Sequence, residues 1–374
     1  MSPISPAEHS ASLRTQLADA ARGRAFLLRM IATLAVLAIY QFSGVSARLI
    51  ESLQVRFDGS WWAVHIIYLL VTLFGLGSLL LPLSLYEDFI VEAQETGEET
   101  DFAAWLPEIF RSLAIDLAAG LAFFLALYGL MFFLPRTWWI AAAALYTAIT
   151  WVASIVPQFQ GPPADELTEL RHENLPERLA AILQRAGLPA CKLLRWHGEG
   201  SGDAPMLMLQ GIGNPKAVIL SDALIREFSS EEIEAMLAHE ASHPHHADTS
   251  RFNVLGGVLA LAAFGATAAF AKLVAMRLPG ADIALLSAFP FFAAMILATT
   301  FAGVPALNAY TRRREYAADA FAAKLAGETP LRSALEKLND GDKTAAPASV
   351  FDLLLHAQPD VPQRLWRLQG SQRA

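Results

Sequence analysis

The stretch His239-Glu240-Ala241-Ser242-His243 sets two imidazoles four positions apart with a carboxylate between them. On a helix, residues at that spacing sit one turn above each other with Cβ atoms about 5–6 Å apart. Both rings can then close on one metal ion at Zn–N distances of about 2.0–2.1 Å. Glu240 is left free to act as general base on a water that the metal activates. The flanking residues predict the helix this requires. Phe228-Ser229-Ser230-Glu231-Glu232 reads as a capping box, with Ser229 as N-cap and Glu232 at N3, opening a helix through Ile233, Met236 and Leu237.

A catalytic zinc needs a third protein ligand and an open position. Arg312-Arg313-Arg314-Glu315-Tyr316-Ala317-Ala318-Asp319 supplies it: Glu315 is the expected third ligand, giving one Zn²⁺ per chain. Asp319 lies four residues further along the helix predicted over 308–325, on the same face, where it can accept an N–H from a ligating imidazole. Taken alone, such an acidic pair among three arginines is a solvated, charge-balanced helix face. The upstream motif tips the reading to metal.

Composition says where this chemistry takes place. Hydrophobic residues make up 54% of the chain, charged residues 17%, and the mean hydropathy is +0.37, too apolar for a soluble domain of 374 residues. Apolar runs at 30–47, 61–86, 117–134, 138–157, 252–271 and 283–311 each approach or exceed the length that spans a bilayer, predicting six spans. The first is long enough if it begins at Phe26 and carries Arg29 at the interface by snorkelling. No short apolar core is followed by a small-residue cleavage site, so the first span is expected to stay attached.

Arg14, Arg22, Arg24 and Arg29 precede that span, against Arg48 and Arg56 in the next loop and one arginine each near 136 and 277. The bias predicts a cytoplasmic N-terminus in the cell membrane and, after six spans, a cytoplasmic active site. The loop over 87–110 on the same side is acidic, which this rule largely ignores. A net charge of −8 with no basic stripe argues against a nucleic-acid partner. The single Cys191 permits no internal disulfide and fits a reducing compartment.

Four regions follow: residues 1–157 as an N-terminal transmembrane region of about four spans, 158–251 as the first part of a peptidase domain with the paired-histidine helix, 252–311 as two further spans, and 312–374 as the second part with the third ligand. Within 158–251, Leu167, Leu170, Leu175, Leu179, Ile182 and Leu183 predict an amphipathic helix stopped by Gly187-Leu188-Pro189. Strands are predicted at Cys191–Trp196, Met206–Gln210 and Ala217–Leu220, the last two joined by a turn at 211–215. An edge strand beside a zinc helix can hold a peptide by main-chain pairing, and it can equally be a plain structural hairpin.

Leu237-Ala238-His239-Glu240 with His243, and Arg314-Glu315-Tyr316-Ala317-Ala318-Asp319, resemble the zinc motifs of the type I CAAX prenyl protease family of integral-membrane metalloendopeptidases, whose relatives include HtpX-type membrane proteases. Residues 81–92, Leu81-Pro82-Leu83-Ser84-Leu85-Tyr86-Glu87-Asp88-Phe89-Ile90-Val91-Glu92, resemble the prenyl protease branch. The resemblance implies a mainly α, polytopic membrane protein with a small α+β metallopeptidase domain of gluzincin type. It further implies Zn²⁺ held by His239, His243 and Glu315, Glu240 as the catalytic base, and a peptide or membrane-protein substrate.

Departures from the family pattern accompany the matches. Pro244 follows the second ligand where the family continues its helix, predicting a kink or an early helix end. Met206-Leu207 stands where the family's edge strand presents asparagine-alanine. Gln358-Pro359 replaces a histidine-proline pair, with His356 two residues earlier, so His356 and Arg364 are the candidates for substrate or transition-state contacts; Arg364 equally suits a structural ion pair. The family has seven spans around an intramembrane chamber; six are counted here. Two other readings stand beside a peptidase: a catalytically weak or inactive membrane scaffold that holds substrates, motivated by these departures, and, within the enzyme class, an HtpX-type quality-control protease. Metal transport would need ligating side chains inside the apolar spans, whereas here they cluster in the polar segments beside them.

Overall fold

The computed structural model describes residues 25–86, 102–155, 161–198, 204–211, 215–276, 284–338 and 357–370. The chain is a multi-pass membrane protein: among these residues, six helices are long and apolar enough to cross a bilayer. They are α1 (Ala25–Phe42), α3 (Trp61–Tyr86), α4 (Phe102–Phe133), α5 (Trp138–Ile155), α9 (Asp248–Ala275) and α10 (Phe289–Ala326). The first begins earlier than the run at 30–47 suggested. Gly44, at φ 72°, takes the left-handed conformation and separates it from the short amphipathic helix α2 (Val45–Arg56). Arg29 therefore lies within α1, where its Nη2 donates to Ser84 Oγ at 3.0 Å. The helix predicted over 308–325 is the far end of α10, a single 38-residue helix that carries the last span straight into the polar motif.

The chain divides into two compact units, residues 1–146 with 258–304 and residues 147–257 with 305–374. The first has a core rich in aromatic rings, with Tyr68, Tyr128, Trp138, Phe264, Phe289 and Phe292 buried together. Its buried polar groups are partly satisfied internally, as where Ser46 Oγ and the Tyr68 hydroxyl share a hydrogen bond of 2.7 Å.

The second unit holds a four-stranded sheet in the order β1 (Leu167–Glu169), β2 (Lys192–Trp196), β4 (Ala217–Ser221), β3 (Leu207–Gln210). Strands β1 and β2 pair antiparallel, β2 and β4 parallel, and β3 and β4 antiparallel with Leu207 opposite Leu220. Leu167 and Leu170 thus belong to a strand and its exit rather than to the predicted helix. Pro176 sits in the first turn of α6 (Leu175–Arg185), a position that proline favours, and the helix starts there. Gly187, at φ 74°, stops α6 as expected. Residues 212–214 of the predicted turn lie outside the described residues, but the strands on either side pair as a hairpin.

Behind the sheet, Leu179, Ile182 and Leu183 of α6 pack with Val218 and Leu220 of β4, and with Ile233 and Leu237 of α8 (Ser230–His245). The short helix α7 (Asp222–Glu227) links β4 to α8. The capping box forms as predicted: the Glu232 N–H donates to Ser229 Oγ at 3.3 Å and the Ser229 N–H to Glu232 Oε2 at 2.7 Å. A cap of this kind is worth about 1 kcal/mol. Glu232 is also gripped by Ser333 at 2.6 Å and Lys337 at 2.7 Å from α11 (Glu328–Leu338), which anchors the start of the paired-histidine helix.

Candidate metal centre

Two helices supply the candidate ligands. On α8, His239 and His243 present their rings one turn apart, with centroids 5.4 Å apart. On α10, Glu315 reaches toward both: its Oε2 lies 3.4 Å from His239 Nε2 and its Oε1 lies 3.8 Å from His243 Nε2. One donor atom from each of the three residues falls within 4.8 Å of the others. Ligand atoms about 2.0–2.1 Å from a tetrahedral ion are about 3.3 Å apart, so this donor set fits one zinc ion with little movement.

The remaining ring nitrogens are already engaged. His239 Nδ1 donates to Asp319 Oδ1 at 3.0 Å, which fixes the tautomer that leaves the Nε2 lone pair for a metal. Asp319 is almost fully buried and is held in turn by Arg364 of α12 (Val361–Gly370), whose Nε donates to Oδ2 at 2.9 Å and Nη2 to Oδ1 at 2.6 Å. This forked pairing aligns carboxylate and guanidinium in one plane. Burial depresses the basicity of His239, but the hydrogen bonds to Asp319 and Glu315 outweigh it and lift its pKa to about 9.

His243 has a matching arrangement that the sequence reading did not find. Its Nδ1 donates to Asp248 Oδ2 at 3.0 Å, and Asp248 Oδ1 lies 2.6 Å from Arg314 Nε in an ion pair outside hydrogen-bond angles. No spacing rule places Asp248 beside His243, since five residues along an unbroken helix would point it about 140° away. The helix is not unbroken. Pro244 sits in the last turn of α8 and cannot donate to the Glu240 carbonyl; His246 caps the helix, and Ala247 adopts a left-handed φ of 53°. The expected early end is thus found, two residues after the second ligand.

Glu240, His243, Pro244, Asp248 and Leu209 line a cleft of about 510 Å³ that also includes Trp151, Ser154 and Ile155 from the end of α5. Leu209 comes from β3, the outer strand of the sheet, whose far edge has no strand partner among the described residues. The cleft is thus bordered by this strand and by the helix that bears Glu240. His245 and His246 turn away from the donor set and pack around the Phe321 ring. His356 falls outside the described residues.

The chain is similar to known membrane peptidases. The model of peptidase family M48 matches residues 169–372, and that described as "CAAX prenyl protease N-terminal, five membrane helices" matches residues 4–162. Among curated relatives, CAAX prenyl protease 1 of Saccharomyces cerevisiae is 26% identical over 44% of this chain and 36% of its own length. Protease HtpX of Mannheimia succiniciproducens is 31% identical over 41% of this chain and 54% of its own length. The match therefore spans between a third and just over half of these two relatives. The CAAX prenyl protease 1 homolog of Arabidopsis thaliana is 23% identical over 78% of this chain and 70% of its length. In structure, Ste24p of S. mikatae superimposes with a TM-score of 0.58 at 17% identity, covering 98% of this chain and 100% of that one, which shows a shared fold.

Proposed function

Since the chain belongs to peptidase family M48, we propose that it is a membrane-embedded zinc metalloendopeptidase with His239, His243 and Glu315 as ligands and Glu240 as the catalytic base. The observation that carries this reading is the convergence of two Nε2 atoms and one carboxylate within 4.8 Å, with both Nδ1 atoms held by carboxylates. Held by His239, His243 and Glu315, a zinc ion would supply Lewis acidity for the scissile carbonyl and for water. The chain does the rest. Glu240 takes a proton from the attacking water onto its carboxylate and returns it to the leaving amine nitrogen. Strand β3 offers its open edge to an extended peptide, whose backbone amides and carbonyls pair with it as an added strand.

The substrate is a peptide or membrane protein that reaches the cleft at the end of α5, and the arginine bias around the first span supports a site on the cytoplasmic side. The match over residues 4–162 favours the prenyl protease branch over the HtpX branch. The scaffold reading rested in part on Pro244. The proline ends the helix without displacing either imidazole, which favours a working peptidase.

Replacing Glu240 with Gln tests the assignment. The variant should retain one zinc per chain by elemental analysis and lose about 10²–10⁴ in turnover of a peptide substrate. Glu315→Ala should instead arrive metal-depleted. Cleavage at the wild-type rate by purified Glu240→Gln protein would exclude the carboxylate as base, and a wild-type chain that binds zinc without cleaving peptides would return the scaffold reading.

A further inference from the structure

We propose that Asp248 and Arg314 are positioning residues for the metal centre: together they hold His243 in the tautomer and orientation in which Nε2 faces the third ligand. The inference rests on the ligand set given above and concerns residues for which no role has been assigned.

The argument begins with the break after α8. His243 lies in the last turn of α8, partly exposed, and the hydrogen bond at its Nδ1 comes from outside that helix. The chain turns at Ala247, and Asp248 becomes the first residue of α9. Its carboxylate therefore lies at a helix N-terminus, where negative charge is favoured, and comes back to within 3.0 Å of His243 Nδ1. The Asp248 side chain is 10% exposed, so it needs a compensating cation. Arg314 provides it at 2.6 Å and is itself largely buried, with Nη2 lacking any hydrogen-bond partner. Its position next to Glu315 ties the orienting carboxylate to the helix that carries the third ligand.

The result repeats the set imidazole, carboxylate, guanidinium that His239, Asp319 and Arg364 form on the other ligand. In both, the carboxylate accepts from Nδ1–H and so keeps the Nε2 lone pair for a metal. The guanidinium in each set lies against the carboxylate and holds it in place beside the ring. The two sets differ in origin. Asp319 lies on the same helix as the third ligand, whereas Asp248 is brought in only by the left-handed turn at Ala247.

The test uses the full chain in detergent micelles, stripped of metal and titrated with zinc against a chromophoric chelator. A second sample loaded with cobalt(II) is read by its visible absorption spectrum. Asp248→Ala should bind zinc about 10–100-fold more weakly than wild type and alter the cobalt spectrum, a loss larger than any fall in the metal-free thermal midpoint accounts for. Asp248→Asn keeps an acceptor oxygen and loses only charge, so its loss should be smaller. Arg314→Met should weaken binding in the same direction, yet add little in the Asp248→Ala background. If Asp248→Ala does not fold, the near-isosteric Asp248→Asn and Arg314→Met decide the matter. Wild-type zinc affinity and an unaltered cobalt spectrum in these variants would overturn the proposal. So would an affinity loss that merely follows a fall in the metal-free midpoint. A wild-type chain that takes up no zinc would overturn the proposed function along with it, which separates the two failures.

Discussion

In the proposed centre, His239 carries a proton that zinc must displace. Its pKa of about 9 lies above the value of about 6.5 for a free imidazole, because the hydrogen bonds to Asp319 and Glu315 outweigh the cost of burial. In the metal-free protein the extra stability from the charged ring is fully present below about pH 6.5 and is lost as pH rises through about 9. Zinc binding runs the other way, since it needs the neutral ring. The gap in thermal midpoint between zinc-loaded and metal-free protein should therefore widen from pH 6.5 to 9 and level off above it; a gap that is flat across this window would contradict the assignment. At this scale much was legible in the sequence: the pairs His239 and His243, and Glu315 and Asp319, follow from spacings of four on helices, and Glu240 from its place beside the first histidine. Asp248 was not, because its reach depends on one backbone dihedral at Ala247 that no spacing rule announces.

Among the elements, the edge strand β3 and the helix α8 matter most, since the cleft lies between them. If a peptide pairs with β3, replacing a single paired amide N–H in the substrate with N-methyl removes one backbone hydrogen bond. The expected cost is about 0.5–1.5 kcal/mol, or about a 2- to 12-fold fall in kcat/KM, confined to alternate positions along the peptide. A series of N-methylated peptides cleaved uniformly would argue for binding by side chains alone. Strands β2, β3 and β4 were readable from their branched and apolar runs between turn residues. β1 was not: three residues long, it owes its conformation to pairing with β2 rather than to any local preference, and Leu167 and the following Leu170 fit a helical period equally well.

For the whole molecule, composition alone required the bilayer, and six helices of spanning length are present among the described residues. The proposed orientation can be checked on the exposed Arg171. In a Cys191→Ser background, Arg171→Cys should react with a membrane-impermeant maleimide only after cells are permeabilised; labelling of intact cells would place the site outside. The sequence by itself determined the membrane class and marked the candidate ligands and base, because these depend on bulk hydropathy and on short motifs. The tertiary structure decided what the sequence left open. It brought together a carboxylate and a pair of imidazoles separated by two apolar helices, continued the last span through the third ligand, and folded Asp248 back onto His243. These depend on where distant segments meet, and that is set by packing and by a few backbone turns whose cost is met only in the finished fold.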